Sequence, residues 1–307
     1  MAATTILLYA RTGAGKTTQI GTLAEDVFSR TGKKTRLYTT DRGGMDTIRP
    51  YIDLGIIEPV ELGKSDIWIF INKAARGHVR DKAGKWVIDQ AANAQIGMYA
   101  FESAHSMAKL IQHDMEAKAG RGVVLGGDTN TSFDVEGDGE KLRIGSTKGY
   151  QKFAIPQATI YREILESQRL AAEYVLWTAG VSKDEDDVLS SKIIGPDVIG
   201  KALTGSLPMD FIYTFRMDVI AAQGGKPERH LLYLGNNSDI NAGNANALGN
   251  IRRPLDAPPL ANTVIEPANI VLALKQVRED AAKAATEAIR RRLGNKLPSV
   301  GASISTK

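Results

Sequence analysis

The sequence predicts an α/β fold with a mostly parallel central sheet flanked by helices. The first observation is an apolar, β-forming run at 4–10 that a glycine-rich turn ends. The second is a helical repeat directly after that turn, in which apolar residues recur three and four positions apart. Those residues are Ile20, Leu23, Ala24, Val27 and Phe28. The third is another β-forming run at 35–40. Together they predict a strand–helix–strand unit, the building block of parallel sheets.

Later segments extend this pattern. Buried strands are predicted at 98–101 and 174–178, helices at about 106–119 and 156–170, and a short strand or hairpin edge at 123–125. The second of these helices is expected to carry Pro156 in its first turn. Runs at 211–217 and 230–234 predict a late β-hairpin. An Ala-rich stretch from Pro267 to Leu293 predicts a C-terminal helix.

Composition limits both the chemistry and the location of the protein. The chain of 307 residues has no cysteine, which excludes disulfides and cysteine-ligated metal sites and fits a reducing compartment. Its four histidines are scattered, so no histidine-rich metal site is expected. No charged segment precedes the first apolar run, which Arg11 ends, so no signal peptide is predicted. No stretch reaches the ~18 apolar residues that indicate a transmembrane helix. We therefore expect a cytoplasmic protein.

The turn after the first strand carries a phosphate-binding motif. Residues 10–17 match the Walker A pattern G-x-x-x-x-G-K-[ST] except at its first position, where Ala10 replaces glycine. Small residues let backbone N–H groups surround phosphate oxygens, and the following helix adds its unpaired N–H groups. Lys16 is expected to reach the β- and γ-phosphates of ATP, and the Thr17 hydroxyl to ligate Mg²⁺. The predicted nucleotide-binding residues are Arg11, Thr12, Gly13, Ala14, Gly15, Lys16, Thr17 and Thr18.

Two carboxylates are candidate partners of this turn. Glu102 follows the strand at 98–101, where a Walker B acid holds Mg²⁺ or acts as the base, and the alternative is a carboxylate that caps the next helix. Asp41 follows the second strand, where an acid can orient the attacking water, and the alternative is the first residue of a turn. Thr178, at a predicted strand end, is either a γ-phosphate sensor or an ordinary strand residue. The candidate catalytic residues are Lys16, Asp41 and Glu102, and the candidate metal ligands are Thr17 and Glu102.

Several segments, taken in order, resemble the RecA-like P-loop ATPases of tailed bacteriophages, including a group similar to single-strand annealing and recombination proteins. They are ARTGAGKTT at 10–18, LYTTDRGGMDTIRPYIDLGII at 37–57, MYAFESAHS at 98–106, GYQKFAIPQATIYREI at 149–164, VLWTAG at 175–180 and IIGPDVIGKALTGSLP at 193–208. The resemblance implies an ATP- and Mg²⁺-dependent enzyme that acts on single-stranded DNA in phage recombination or replication, in the host cytoplasm. One alternative is an ATPase of the same fold that serves virion assembly or genome handling through protein partners. A nucleoside or small-molecule kinase ranks third, because no acceptor-binding lid is visible.

The resemblance has two departures and one further implication. The Walker B acid is a glutamate, and VLWTAG ends in Gly180 where similar proteins often carry His or Gln. Proteins of this fold usually place ATP between subunits, which implies a homo-oligomer with a Lys or Arg supplied in trans. Candidates for that cation are Lys201, Arg252 and Arg253, and ordinary surface cations are the alternative.

A polar region at 126–152 is the candidate DNA site. It carries Lys141, Arg143, Lys148, Tyr150 and Lys152, a mixture of basic side chains and an aromatic ring suited to phosphates and stacked bases. Acids at 128, 134, 136, 138 and 140 argue against a simple electrostatic groove. The net charge of +4 permits nucleic-acid contact, and a solvated surface is the plainer alternative. We expect a RecA-like ATPase domain at 1–262, with hairpin insertions near 77–89 and 126–149, and a C-terminal helix and tail at 263–307.

Overall fold

A computed structural model of the chain describes residues 3–40, 43–62, 67–119, 133–137, 140–144, 151–186, 191–198, 203, 206–220, 228–233, 263–265 and 268–293. The strands are β1 (Thr4–Ala10), β2 (Lys34–Thr39), β3 (Ile57–Glu61), β4 (Val79–Arg80), β5 (Trp86–Val87), β6 (Ile96–Glu102), β7 (Phe133–Gly137), β8 (Glu140–Ile144), β9 (Tyr174–Asp186), β10 (Ser191–Asp197), β11 (Tyr213–Ile220), β12 (Glu228–Tyr233) and β13 (Thr263–Ile265). The α-helices are α1 (Lys16–Thr31), α2 (Arg49–Asp53), α3 (Ile67–Ala75), α4 (Gln90–Ala94), α5 (Ala104–Ala119), α6 (Gln151–Ser167) and α7 (Ile270–Leu293). Short 3₁₀ helices cover Gly43–Ile48 and Leu207–Asp210.

The central sheet is mostly parallel. Within the described residues it has nine strands in the order β13-β12-β11-β1-β9-β6-β2-β3, with β10 paired to β9. The pairs from β11 through β3 are parallel, whereas β11–β12, β12–β13 and β9–β10 are antiparallel. This arrangement confirms the predicted α/β fold class, including its late hairpin. The carboxyl ends of β1, β9, β6 and β2 meet at one edge, where ligands bind to sheets of this kind.

The central strands are apolar because helices cover both faces of the sheet. Every residue of β6 is buried, as is every residue of β1 after Thr4, the pattern of a parallel sheet covered on both faces. One core cluster joins one set of alternating strand residues to α3, α5 and α6. A second cluster joins the other set to α1 and α7. Among the described helices, none is both long and apolar enough to cross a bilayer.

Three predicted elements differ from the structure. The helix predicted at 156–170 begins five residues earlier and spans Gln151–Ser167, so Pro156 lies inside it. There the proline removes one intrahelical hydrogen bond and its ring crowds the carbonyl four residues earlier, a cost that the burial of Ile160 and Ile164 in the core offsets. The strand predicted at 174–178 continues to Asp186 because it pairs with β10. The C-terminal helix begins at Ile270, where Oδ1 of Asn269 accepts the N–H groups of Val271 at 3.0 Å and Leu272 at 3.2 Å.

Three further predicted segments have different outcomes. The short strand predicted at 123–125 lies outside the described residues. The 77–89 segment contains the antiparallel pair β4–β5, and the 126–149 segment contains the pair β7–β8.

Gly97, near the start of β6, lets α1 pack closely on the sheet. A Cβ atom on this residue would lie 2.6 Å from Cγ1 of Val27 and 3.0 Å from Cβ of Lys33. We predict that Gly97→Ala lowers the free energy of unfolding by ~1–3 kcal/mol, the usual cost of overpacking. In a Val27→Ala background the same change should cost less, because the nearest clashing atom is gone. Urea denaturation of the four proteins in this cycle measures both effects, and an unchanged midpoint for Gly97→Ala would contradict the packing argument.

Candidate functional site

The Walker A turn joins β1 to α1 at the carboxyl edge of the sheet. Gly13 and Gly15 have φ angles of +79° and +108°, in the left-handed region that glycine adopts without strain. The Ala14 N–H donates to the Arg11 carbonyl at 3.2 Å, which closes the turn. Within the described part of the chain, the amino end of α1 has no side-chain cap at its N-cap residue, Gly15. The backbone donors of this 16-residue helix are therefore directed to the cleft beside the turn.

The Lys16 ammonium lies over the same turn. Its Nζ donates to the carbonyls of Ala10 at 3.0 Å and Arg11 at 3.3 Å. Burial lowers the pKa of Lys16 below its usual value, and the Glu102 carboxylate partly offsets that effect. The cation is thus held among main-chain oxygens, next to the uncapped helix end.

The predicted metal ligands are in direct contact. Oγ1 of Thr17 donates a hydrogen bond to Oε1 of Glu102. Glu102 is the last residue of β6 and is only 5% exposed. Both groups are hard oxygen donors of the kind that Mg²⁺ prefers. No cluster of three or more His, Cys, Asp or Glu residues in the described ranges could hold an ion by itself. The residues present fit a Mg²⁺ ion that phosphate oxygens and water also ligate.

A cleft of about 1470 Å³ contains these groups. Its lining comes from the Walker A turn, the 3₁₀ segment that begins at Gly43, the β6–α5 junction, the β9–β10 pair, β12 and the residue Ala268 before α7. The volume exceeds the ~300–1,000 Å³ of common small-molecule pockets, so a large ligand such as a nucleotide can enter.

Several predicted site residues cannot be placed in this cleft. Asp41, Lys201, Arg252 and Arg253 lie outside the described residues, as do Lys148 and Tyr150 of the candidate DNA region. Lys141 and Arg143 belong to β8, and Lys152 belongs to α6. Thr178 lies within β9 rather than at its end and is fully buried, and its hydroxyl has no hydrogen-bond partner among the residues that the structure describes. Gly180 and Val181, further along β9, line the cleft instead.

The structure adds three polar residues that the sequence did not indicate. Nε of Arg229, on β12, donates to the Ala14 carbonyl at 3.0 Å. Nδ1 of His105, in the first turn of α5, lies 3.0 Å from Oδ2 of Asp197 at the end of β10. His105 is only three residues after Glu102 in the sequence, a local proximity that could have drawn attention to it. Arg229 and Asp197 reach the cleft through distant strand pairings, which leave no local signal.

Gln19 fixes one wall of the cleft. This buried residue of α1 donates from Nε2 to the Ala268 carbonyl at 3.0 Å, and its Oε1 accepts the Ile270 N–H at 2.8 Å. The Ala268 N–H in turn donates to the Arg229 carbonyl at 3.2 Å. One amide side chain therefore ties α1 to the start of α7, which is also bonded to β12.

No protein-family model matches the chain, and no curated protein matches it significantly. Among solved structures, the chain is similar to a KaiC-like protein of the hyperthermophilic archaeon Pyrococcus horikoshii. That match has 13% identity and a TM-score of 0.40 and covers 76% of this chain and 78% of the other.

We predict that Gln19→Leu loosens the start of α7. The substitution leaves the Ile270 N–H and the Ala268 carbonyl without partners, and each unsatisfied buried group costs ~1–3 kcal/mol. Thr22→Ala on the same helix is the control, because its hydroxyl only bonds the Thr18 carbonyl and should matter by less than ~0.5 kcal/mol. Amide hydrogen exchange in the first turn of α7 should accelerate for Gln19→Leu alone. Equal amide exchange rates in both variants would contradict the role of Gln19 in fixing the start of α7.

Proposed function

We propose that this protein is a Mg²⁺-dependent ATPase whose Walker A turn binds the triphosphate. The observation that best supports this proposal is the contact between the Thr17 hydroxyl and the Glu102 carboxylate, next to the Lys16 ammonium. Thr17 and Glu102 are 85 positions apart in the sequence. A chance glycine-rich turn has no reason to face a buried acid from another strand.

Each of these side chains has a role in hydrolysis, which is an in-line attack of water on the γ-phosphorus. Lys16 binds β- and γ-phosphate oxygens and balances the charge that develops there. Thr17 and Glu102 hold Mg²⁺, which neutralises phosphate charge when bound. Glu102 or Asp41 orients the attacking water. The uncapped N–H groups of α1 supply further donors to the phosphates.

We further propose which process ATP hydrolysis drives. By resemblance to RecA-like phage ATPases, the protein acts on single-stranded DNA in phage recombination or replication, as a homo-oligomer with ATP at a subunit interface. The mild excess of basic residues supports contact with a polyanion. The DNA region is 126–152, and Lys201, Arg252 and Arg253 are the candidate cations supplied in trans.

Lys16→Ala tests nucleotide use directly. We predict that the variant loses at least ~10²-fold in ATP turnover, because a charged donor to the transferred phosphoryl group is removed. Lys33→Ala, which changes an exposed lysine just after α1, should hydrolyse ATP at the wild-type rate. Release of inorganic phosphate, measured with and without single-stranded DNA, gives both answers. DNA should raise wild-type turnover, and the stimulation should weaken as salt is added.

Each contrary result of that assay removes a distinct part of the proposal. Normal hydrolysis by Lys16→Ala would remove the nucleotide assignment. If DNA does not change ATP turnover and virion proteins co-purify with the protein, a role in virion assembly would replace the role on DNA. Phosphate transfer to a nucleoside in place of water would indicate a kinase.

Glu102→Gln separates nucleotide binding from hydrolysis. The glutamine oxygen can still accept the Thr17 hydrogen bond, but the negative charge is lost. We predict that ADP affinity changes little, whereas turnover falls ~10²–10⁴-fold and needs more Mg²⁺. Glu25→Gln, on the exposed face of α1, is the matched control, and it should leave the Mg²⁺ titration unaltered. Wild-type turnover by Glu102→Gln would exclude this residue from the chemistry.

A further inference from the structure

A histidine–aspartate pair lines the same cleft as Lys16 and Glu102. His105 lies in the first turn of α5, and Asp197 is the last residue of β10. Their Nδ1 and Oδ2 atoms are 3.0 Å apart, an ion-pair distance that lacks the alignment of a hydrogen bond. The side chains are 23% and 35% exposed, so both can be reached from the cleft.

Gly180 makes room for this pair. In the β9–β10 ladder Gly180 lies opposite Asp197. A Cβ atom on Gly180 would be 3.2 Å from Cβ and 3.4 Å from Oδ2 of Asp197. The glycine that ends VLWTAG therefore leaves space that the Asp197 carboxylate uses. The polar side chains at this point of the cleft are Asp197 of β10 and His105 of α5, whereas β9 contributes the glycine.

We propose that His105, oriented by Asp197, accepts a hydrogen bond from the water that attacks the γ-phosphate. A carboxylate next to Nδ1 favours the tautomer that carries its proton there, which leaves the Nε2 lone pair as an acceptor. His105 is three residues beyond Glu102 in the sequence, and the Glu102 carboxylate accepts a hydrogen bond from the predicted Mg²⁺ ligand Thr17. The inference rests on the proposed function, because it requires a triphosphate in the cleft.

The step uses only ATP and water as reactants. The water oxygen forms a bond to the γ-phosphorus while the bond from that phosphorus to the β–γ bridging oxygen breaks. The bridging electron pair stays with ADP. The proton of the water passes to Nε2 of His105 and then to the departing inorganic phosphate. Asp197 takes up no proton in this step and acts only by positioning the ring.

The test compares ATP turnover with ADP affinity in His105→Ala, Asp197→Asn and the control His113→Ala. We expect His105→Ala to lose ~10²-fold in kcat, the usual contribution of a general base, with ADP affinity within about twofold of wild type. Asp197→Asn should lose ~10-fold in kcat with the same affinity, because only the orientation of the ring is affected. His113 is exposed on the same helix, so His113→Ala should behave as wild type. Added imidazole should restore part of the activity of His105→Ala alone.

Each other outcome overturns the inference. If His105→Ala binds ADP and has the wild-type kcat, this inference is wrong and the proposed function is unaffected. Failure of the wild-type protein to bind nucleotide removes both. If kcat, ADP affinity and melting temperature fall together in His105→Ala, the pair is structural. Asp197→Asn changes one atom of the side chain, so it distinguishes the same alternatives if His105→Ala does not fold.

Discussion

The order of three parallel strands is the constraint on which the site depends. β9 lies between β1, which leads into the Walker A turn, and β6, which ends at Glu102. The contact between Glu102 and Thr17 must therefore cross the width of β9. That crossing is possible only if the strands keep a single register, since a slip by one residue moves every side chain to the opposite face.

Aromatic packing holds that register. Trp177 of β9 pairs with Leu7 of β1 on one side and Phe101 of β6 on the other. The Trp177 and Phe101 rings are parallel with centroids 4.4 Å apart, and Tyr38 of β2 stacks on Phe101 at 5.0 Å. The Trp177 indole also donates to the Ser167 hydroxyl at 2.9 Å, which satisfies its one polar atom. Because Glu102 directly follows Phe101, this row of rings also fixes where the carboxylate leaves the sheet.

The parts of the molecule that could be predicted from sequence are those with local causes. The β1–turn–α1 unit follows from adjacent residues, and Gly13 and Gly15 adopt the conformations that such a turn requires. The length of β9 could not be predicted, because its polar second half is extended by pairing with β10. In the sequence, Gln19 resembles any polar residue of a helix. Its two hydrogen-bond partners come from the start of α7, which is distant in the sequence. Arg229 and Asp197 reach the cleft for the same non-local reason.

The glutamate at the end of β6, where an aspartate is more usual, fits this geometry. The glutamate side chain carries its carboxylate to the Thr17 hydroxyl at the start of α1. The same carboxylate stabilises the charge of Lys16, whose pKa burial lowers. A buried acid without partners is costly, and here the hydroxyl and the ammonium group both compensate it. The Glu102 carboxylate therefore accepts the Thr17 hydrogen bond and supports the charge of Lys16 at once.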